Sequence, residues 1–138
     1  LPDRVLDVGS GSGILGIAAL ALGAGTVDAI DTDPEATAAT AANARVNGVA
    51  DRLSVRQGTL DAAPFEPYPL VLANLVAVVL IEVAPRLAAH LAPGGTLLAS
   101  GIIDERAGQV EAALTAAGLQ CADHRIEGEW VSLRMRRP

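Results

Sequence analysis

The chain has 138 residues, of which 51% are hydrophobic and 19% are charged. This length and composition suit one α/β domain and are too small for two ordinary domains. Ten basic residues, all of them arginines, stand against sixteen acids and give a net charge of −6. Such a balance argues against a broad surface for the phosphates of a nucleic acid.

Several features point to a cytoplasmic protein. No run of residues reaches the roughly 18 consecutive apolar positions of a membrane span, and the chain opens without a basic region followed by an apolar one. A single cysteine, Cys121, excludes an internal disulfide, and we expect it to be a small buried residue. We therefore expect a cytoplasmic protein without membrane contact.

Strands and helices are predicted to alternate along most of the chain. Apolar runs, turn residues and helix caps define the elements. In chain order they are strand 4–8, helix 14–22, strand 26–31, a helix begun by Asp33-Pro34 and closed by Asn47-Gly48, strand 53–57, strand 70–74, helix 78–91, strand 96–100, helix 104–117 and strands 119–126 and 130–135. Segment 61–69 is expected to be a loop and Pro93-Gly94-Gly95 a turn. Pro85 is expected to distort or divide its helix.

The order of these elements predicts the fold class. Repeated strand–helix units favour an α/β fold with a mostly parallel, seven-stranded sheet and helices on both faces. The end of the chain differs, because a tight turn at 127–129 joins the last two strands. The last strand should therefore run antiparallel to its neighbour. We expect residues 1–138 to form a single domain.

A glycine-rich turn after the first strand predicts a nucleoside site. The turn reads Asp7-Val8-Gly9-Ser10-Gly11-Ser12-Gly13, and Asp31 follows at about the 20-residue spacing of a ribose-binding acid. Glycines allow a ligand to approach the backbone, and the next helix offers free N–H groups. A dinucleotide such as NAD and S-adenosylmethionine both fit this pattern. Asp7 favours the second, because its carboxylate would repel a pyrophosphate and attract an ammonium or sulfonium cation.

Six short segments resemble a known family. They are 7–13, 31–34, 73–77, 91–95, 100–102 and 129–131, and the last two together with Ala73-Asn74-Leu75 make the resemblance specific. The chain resembles the class I methyltransferase domain of the bacterial PrmA family. The resemblance implies the Rossmann-like class I methyltransferase fold and S-adenosylmethionine as cofactor. It also implies methylation of lysine side chains and of the N-terminus on the eleventh protein of the large ribosomal subunit.

The resemblance also implies roles for individual residues. Gly9 and Gly11 would contact the methionine part of the cofactor, with Asp7 near its ammonium group. Asp31 would accept hydrogen bonds from both ribose hydroxyls. Asn74, at the carboxyl end of the fourth strand, would contact the cofactor and orient the acceptor nitrogen, which makes it the candidate catalytic residue. No side chain is identified as a general base.

Other polar and aromatic residues are assigned to structural roles. Asp33 is expected to cap a helix rather than bind a metal, and no metal site is expected. His90 is expected to cap a helix or lie at the surface, His124 to be structural and Trp130 to pack in the core. Thr59 follows the third strand, where the superfamily places groups beside adenine, but a plain loop fits equally well.

Alternative functions remain open at the level of sequence. They are methyltransfer to a small molecule or another protein, a non-catalytic domain that keeps the cofactor fold, and an NAD-dependent oxidoreductase. The PrmA family carries a substrate-recruiting domain upstream of its methyltransferase domain. We therefore expect residues 1–138 to be the catalytic domain alone, acting on a ribosomal large-subunit protein and not on nucleic acid.

Overall fold

A computed structural model describes residues 1–64 and 66–138. Its strands are β1 (Arg4–Val8), β2 (Thr26–Asp31), β3 (Leu53–Gln57), β4 (Tyr68–Asn74), β5 (Leu91–Ile103), β6 (Gln120–Glu127) and β7 (Trp130–Arg136). Its α-helices are α1 (Ile14–Ala21), α2 (Pro34–Val46), α3 (Ala77–Ala89) and α4 (Asp104–Ala116), and a 3-10 turn spans Leu60–Ala62. Most predicted bounds agree with these within two residues.

The strands form one sheet in the order β3-β2-β1-β4-β5-β7-β6. Strands β1 to β5 pair in parallel, whereas β7 runs antiparallel to both β5 and β6. The mostly parallel, seven-stranded sheet and its antiparallel last strand are thereby confirmed. Strand order reverses between β1 and β4, and ligands of open α/β sheets bind at the carboxyl ends of strands beside such a reversal.

Alternate residues of the strands supply two apolar cores. On β1, Val5 belongs to one core and Leu6 to the other, because successive side chains point to opposite faces of a sheet. Helices α1 and α2 contribute to the core of Val5, and α3 and α4 contribute to the core of Leu6. The helices therefore cover both faces, as predicted.

The predicted turn at 93–95 lies instead inside a longer β5. Tyr68 pairs with Leu91 and Leu70 with Thr96, so the register shifts around these residues. Gly94 has a φ of +78°, and the backbones of Gly94 and Gly95 exchange hydrogen bonds with Arg137. The segment bends yet remains in the sheet because its backbone groups find partners there.

Pro85 lies inside its helix without dividing it, so of the two expected effects, distortion or division, division is wrong. Helix α3 runs without a break over Ala77–Ala89. Residues on either side of the proline, Leu80, Ala84 and Leu87, are fully buried in the core. Burial of this face offsets a cost of about 3 kcal/mol for a proline inside a helix.

Trp130 and Cys121 were both expected to be buried, and both are exposed. The Trp130 side chain is 53% accessible, because the residue begins β7 at the rim of the sheet and its neighbour Val131 faces the core instead. Cys121 lies on β6, one of the two edge strands of the sheet, and most residues of β6 face solvent. An edge strand offers only one flank for pairing and little cover for its side chains.

Candidate functional site

The glycine turn connects β1 to α1 in a conformation that requires glycine. Gly9 has a φ of +73°, and a Cβ there would lie 2.5 Å from Leu75 Cδ2. The N–H groups of Gly9 and Ser10 both donate to the carbonyl of Ile30, at 2.9 and 3.0 Å. These bonds hold the turn against the end of β2, so that it lies beside Asp31.

Asp31 ends β2 with its carboxylate fixed by two backbone donors. Gly11 N–H donates to Oδ2 and Asp33 N–H donates to Oδ1, each at 2.9 Å. A carboxylate oxygen has two lone pairs, so each oxygen keeps the capacity to accept a further hydrogen bond. The half-buried carboxylate is thus oriented to accept a pair of hydroxyl groups.

Asp33 caps α2, as its sequence context predicts. Its Oδ1 accepts a hydrogen bond from Glu35 N–H at 2.9 Å, and Pro34 follows in the first turn. This contact satisfies one of the free donors at a helix start. Among the residues that the structure describes, no group of His, Cys, Asp or Glu side chains has an arrangement suited to a metal ion.

Asp7 lies beneath the turn with its side chain 1% exposed. Its Oδ2 accepts a hydrogen bond from Gly16 N–H at 3.2 Å. Burial raises the pKa of Asp7 from 3.8 to about 6, the Gly16 hydrogen bond opposes this rise, and the charge of Asp31 adds to it. A cation held close to this carboxylate would favour its charged form.

Asn74 is the last residue of β4 and is exposed. Its partner across the sheet is Ser100 of β5, and Gly101 follows with a φ of +79°. A Cβ at Gly101 would collide with Asn74 Oδ1. Glycine at position 101 therefore leaves the space in which the carboxamide of Asn74 lies.

A cavity of about 440 Å³ opens at the carboxyl ends of β1, β2 and β4. Gly9, Asp31 and Asn74 line it, together with Thr59 and a mainly apolar wall formed by Val8, Ile30, Leu60, Leu75, Val76, Val79 and Val83. Arg86 also lines it. This volume lies in the range of small-molecule sites. Of the five predicted site residues, Gly9, Asp31 and Asn74 line the cavity, whereas Asp7 and Gly11 do not.

The two histidines lie outside this cavity. His90 caps the end of α3, where its Nδ1 lies 2.8 Å from the carbonyl oxygen of Arg86, so the predicted capping role is confirmed. His124 lies on β6.

No helix in the described part of the chain is long and apolar enough to cross a membrane.

Three polar residues support the turn through contacts that the sequence does not predict. Ser10 and Thr40 share a buried hydrogen bond, and Asn43 of α2 donates to the Ser12 carbonyl. The partners are about 30 residues apart in the chain. No local spacing indicates such a pair, and a threonine on a helix is ordinarily a surface residue.

The fold and cavity define a Rossmann-like domain of the class I methyltransferases. A crystal structure of an RNA methyltransferase from Salinibacter ruber in complex with S-adenosyl-L-homocysteine superposes with a TM-score of 0.76 at 25% identity, over 99% of this chain and 81% of that one. The chain belongs to the ribosomal protein L11 methyltransferase (PrmA) family, whose model matches residues 2–138.

Individual relatives support this membership. The ribosomal protein L11 methyltransferase of Pelotomaculum thermopropionicum is 51% identical over 96% of this chain and 43% of its own length. That of Geobacter sp. strain M21 is 43% identical over 100% of this chain and 44% of its own length. A crystal structure of ribosomal protein L11 methylase from Lactobacillus delbrueckii subsp. bulgaricus has a TM-score of 0.93 and 34% identity, and the match covers 100% of this chain and 72% of that one. The chain spans less than half the length of these two curated relatives.

Proposed function

We infer that this chain binds S-adenosylmethionine and transfers its methyl group to amino groups of ribosomal protein L11. The observation that carries the proposal is the position of Gly9, Asp31 and Asn74 on one cavity of about 440 Å³. The family and the printed names of the relatives support the acceptor. A ribosomal protein as substrate also favours the cytoplasm as the compartment and protein, rather than nucleic acid, as the partner.

The residues at the cavity fit this cofactor. Asp31, with one free lone pair on each oxygen, would accept both ribose hydroxyls, and Gly9 would let the methionine part approach the backbone. The apolar wall at Ile30, Leu60 and Val79 suits the faces of an adenine ring. Asp7 supplies a negative charge behind the turn, which favours an ammonium group on the other side. When bound, the cofactor supplies a methyl group already activated by a sulfonium.

The chain then has to hold a neutral amine in line with that methyl group and to exclude water. Asn74 is exposed at the mouth of the cavity, and its Oδ1 would accept a hydrogen bond from the amine and orient its lone pair. A lysine amine has a reference pKa near about 10.4 and must lose a proton before it attacks. Among the described residues of the cavity wall, the ionisable ones are Asp31 and Arg86, and under this proposal the free lone pairs of Asp31 accept the ribose hydroxyls. The proton would therefore pass to solvent.

We also propose that residues 1–138 are a catalytic domain whose protein substrate is recruited by a further domain. The match with this chain covers less than half the length of each of the two curated relatives, so each relative has a further part outside the match. Under this proposal the isolated chain keeps cofactor affinity, because Gly9, Asp31 and Asn74 all lie within it. The isolated chain would methylate L11 more slowly than a version extended at its N-terminus.

A radiolabel assay tests the enzyme proposal. Purified L11 is incubated with S-adenosylmethionine labelled in its methyl group and either this chain or the extended version. Label should appear in L11 and should be lost when the amines of L11 are acetylated beforehand. No transfer by either protein would refute the enzyme proposal. Calorimetry tests the cofactor separately, since binding of NADH without binding of S-adenosylhomocysteine would point to a different class of enzyme.

A further inference from the structure

Two buried hydroxyl groups join the glycine turn to helix α2. Thr40 is fully buried and Ser10 is 6% exposed, and their hydroxyl oxygens lie 2.9 Å apart. Thr40 Oγ1 also donates to the carbonyl of Gly11 at 2.9 Å. A hydroxyl has one proton to donate, so the Ser10 hydroxyl must be the donor to Thr40.

This contact reaches the acid of the cavity through a single residue. Thr40 binds the carbonyl of Gly11, and the N–H of the same Gly11 donates to Asp31 Oδ2 at 2.9 Å. The position of Gly11 therefore depends on α2 on one side and orients the carboxylate on the other. Asn43, one turn further along α2, donates to the carbonyl of Ser12 at 2.7 Å and holds the next peptide of the turn.

A second threonine on the same helix differs from Thr40 in this respect. Thr37 Oγ1 donates to the carbonyl of Pro34 at 3.0 Å, three residues earlier, as threonines on helices commonly do. Thr40 instead bonds to residues 29 and 30 positions away in the chain. Loss of a buried partner leaves polar groups without hydrogen bonds, and in this case those groups belong to the turn.

We propose that Thr40 is a positioning residue for the cofactor site, which acts through Gly11 on the carboxylate of Asp31. The inference rests on the proposed function, because it assumes that Asp31 binds the cofactor. Thr40 does not line the cavity. Its hydroxyl holds the backbone of the glycine turn at a fixed position against α2. Because the Gly11 N–H belongs to that backbone, the same contact orients Asp31 Oδ2.

Calorimetry with S-adenosylhomocysteine tests the inference on the full chain. Thr40→Val keeps the shape of the side chain and removes its hydroxyl. We expect its dissociation constant to rise about 5- to 20-fold, as for the loss of one hydrogen-bonded contact. Thr40→Ser restores the hydroxyl and should stay within about twofold of the wild type. Thr37→Val is the matched control and should leave the affinity unchanged.

Two further measurements separate positioning from a general loss of stability. Affinities are compared at a temperature at which circular dichroism finds every variant folded. Asn43→Ala should also weaken binding. Because Asn43 is only half-buried, its replacement leaves no cavity in the protein interior. In an Asp31→Ala background, Thr40→Val should weaken binding by less than about twofold, because coupled residues have non-additive effects.

The outcomes distinguish this inference from the proposed function. Unchanged affinity in Thr40→Val would overturn the inference alone. If the effects of Thr40→Val and Asp31→Ala on the free energy of binding are fully additive, then Thr40 does not act through Gly11 on Asp31 and the inference is wrong. A wild-type chain without affinity for S-adenosylhomocysteine would overturn the proposed function and this inference with it.

Discussion

Asp31 is the residue on which the candidate site depends most directly. Two backbone donors, from Gly11 and Asp33, fix its carboxylate before any ligand arrives. A group held in its binding orientation loses little entropy when the ligand binds. The same two donors also make Asp31 part of the structure of the turn, so its replacement has effects on both binding and stability.

Asp31→Ala is expected to weaken binding of S-adenosylhomocysteine by about 1–3 kcal/mol through lost hydrogen bonds to the ribose. Isothermal titration calorimetry measures the change. Asp33→Ala is the matched control, because it removes the cap of α2 and should lower stability by about 1 kcal/mol with little change in affinity. Unchanged affinity in Asp31→Ala would exclude this residue from the site.

At the scale of elements, β5 and α3 show how packing alters what local sequence favours. Gly94 and Gly95 predict a turn, yet their backbones pair with Arg137 and remain in the sheet. Further along β5, Gly101 lies at an irregularity of the pairing with β7 and makes room for Asn74. The irregularity thus serves the cavity, which agrees with the frequent occurrence of bulges beside active sites.

Pro85→Ala should stabilise the chain. Pro85 is exposed and lies inside α3. Because proline has no N–H, the carbonyl of Ile81 lacks the helical hydrogen bond that residue 85 would otherwise donate. We expect a gain of about 1–2 kcal/mol, after subtraction of the entropy that a proline removes from the unfolded chain. Urea denaturation measures this gain. Glu82→Ala, on the exposed side of the same helix, is the control, and an equal or lower stability of Pro85→Ala would contradict the argument.

At the scale of the whole molecule, the buried charge of Asp7 links stability to pH. Its pKa rises from 3.8 to about 6 on folding, mainly through burial, so the folded state favours the protonated form. This group therefore lowers the free energy of unfolding as pH rises through the window between those two values. A difference of this size corresponds to about 3 kcal/mol.

Asp7→Asn should remove that dependence, because the asparagine carbonyl can still accept from Gly16 N–H. We expect the variant to exceed the wild type in stability by roughly 1–3 kcal/mol at about pH 8 and by much less at about pH 4.5. Chemical denaturation at both pH values measures the difference, with exposed Asp51→Asn as the control. The same excess at both pH values would show that ionisation of Asp7 is not its cause.

Sequence alone predicted the class of the whole molecule and most element bounds, because apolar periodicity and caps such as Asp33-Pro34 are local signals. It also selected Gly9, Asp31 and Asn74, which the structure brings to one cavity. It did not predict the support of the turn by Thr40, since that contact joins residues 29 positions apart. It misjudged Trp130, because a strand pattern does not say where the covering helices end.

The position of β7 between β5 and β6 also constrains the order in which the chain can fold during synthesis. When a ribosome has completed β6, that strand has no neighbour to join, because its partner in the sheet has not yet been made. Strands β1 to β5 can pair as they emerge. Strand β6 and the open flank of β5 stay unpaired until β7 has been made. Until then, the backbone groups of β5 remain available to other chains. Only β7, Trp130–Arg136, covers the open flank of β5 and gives β6 its partner.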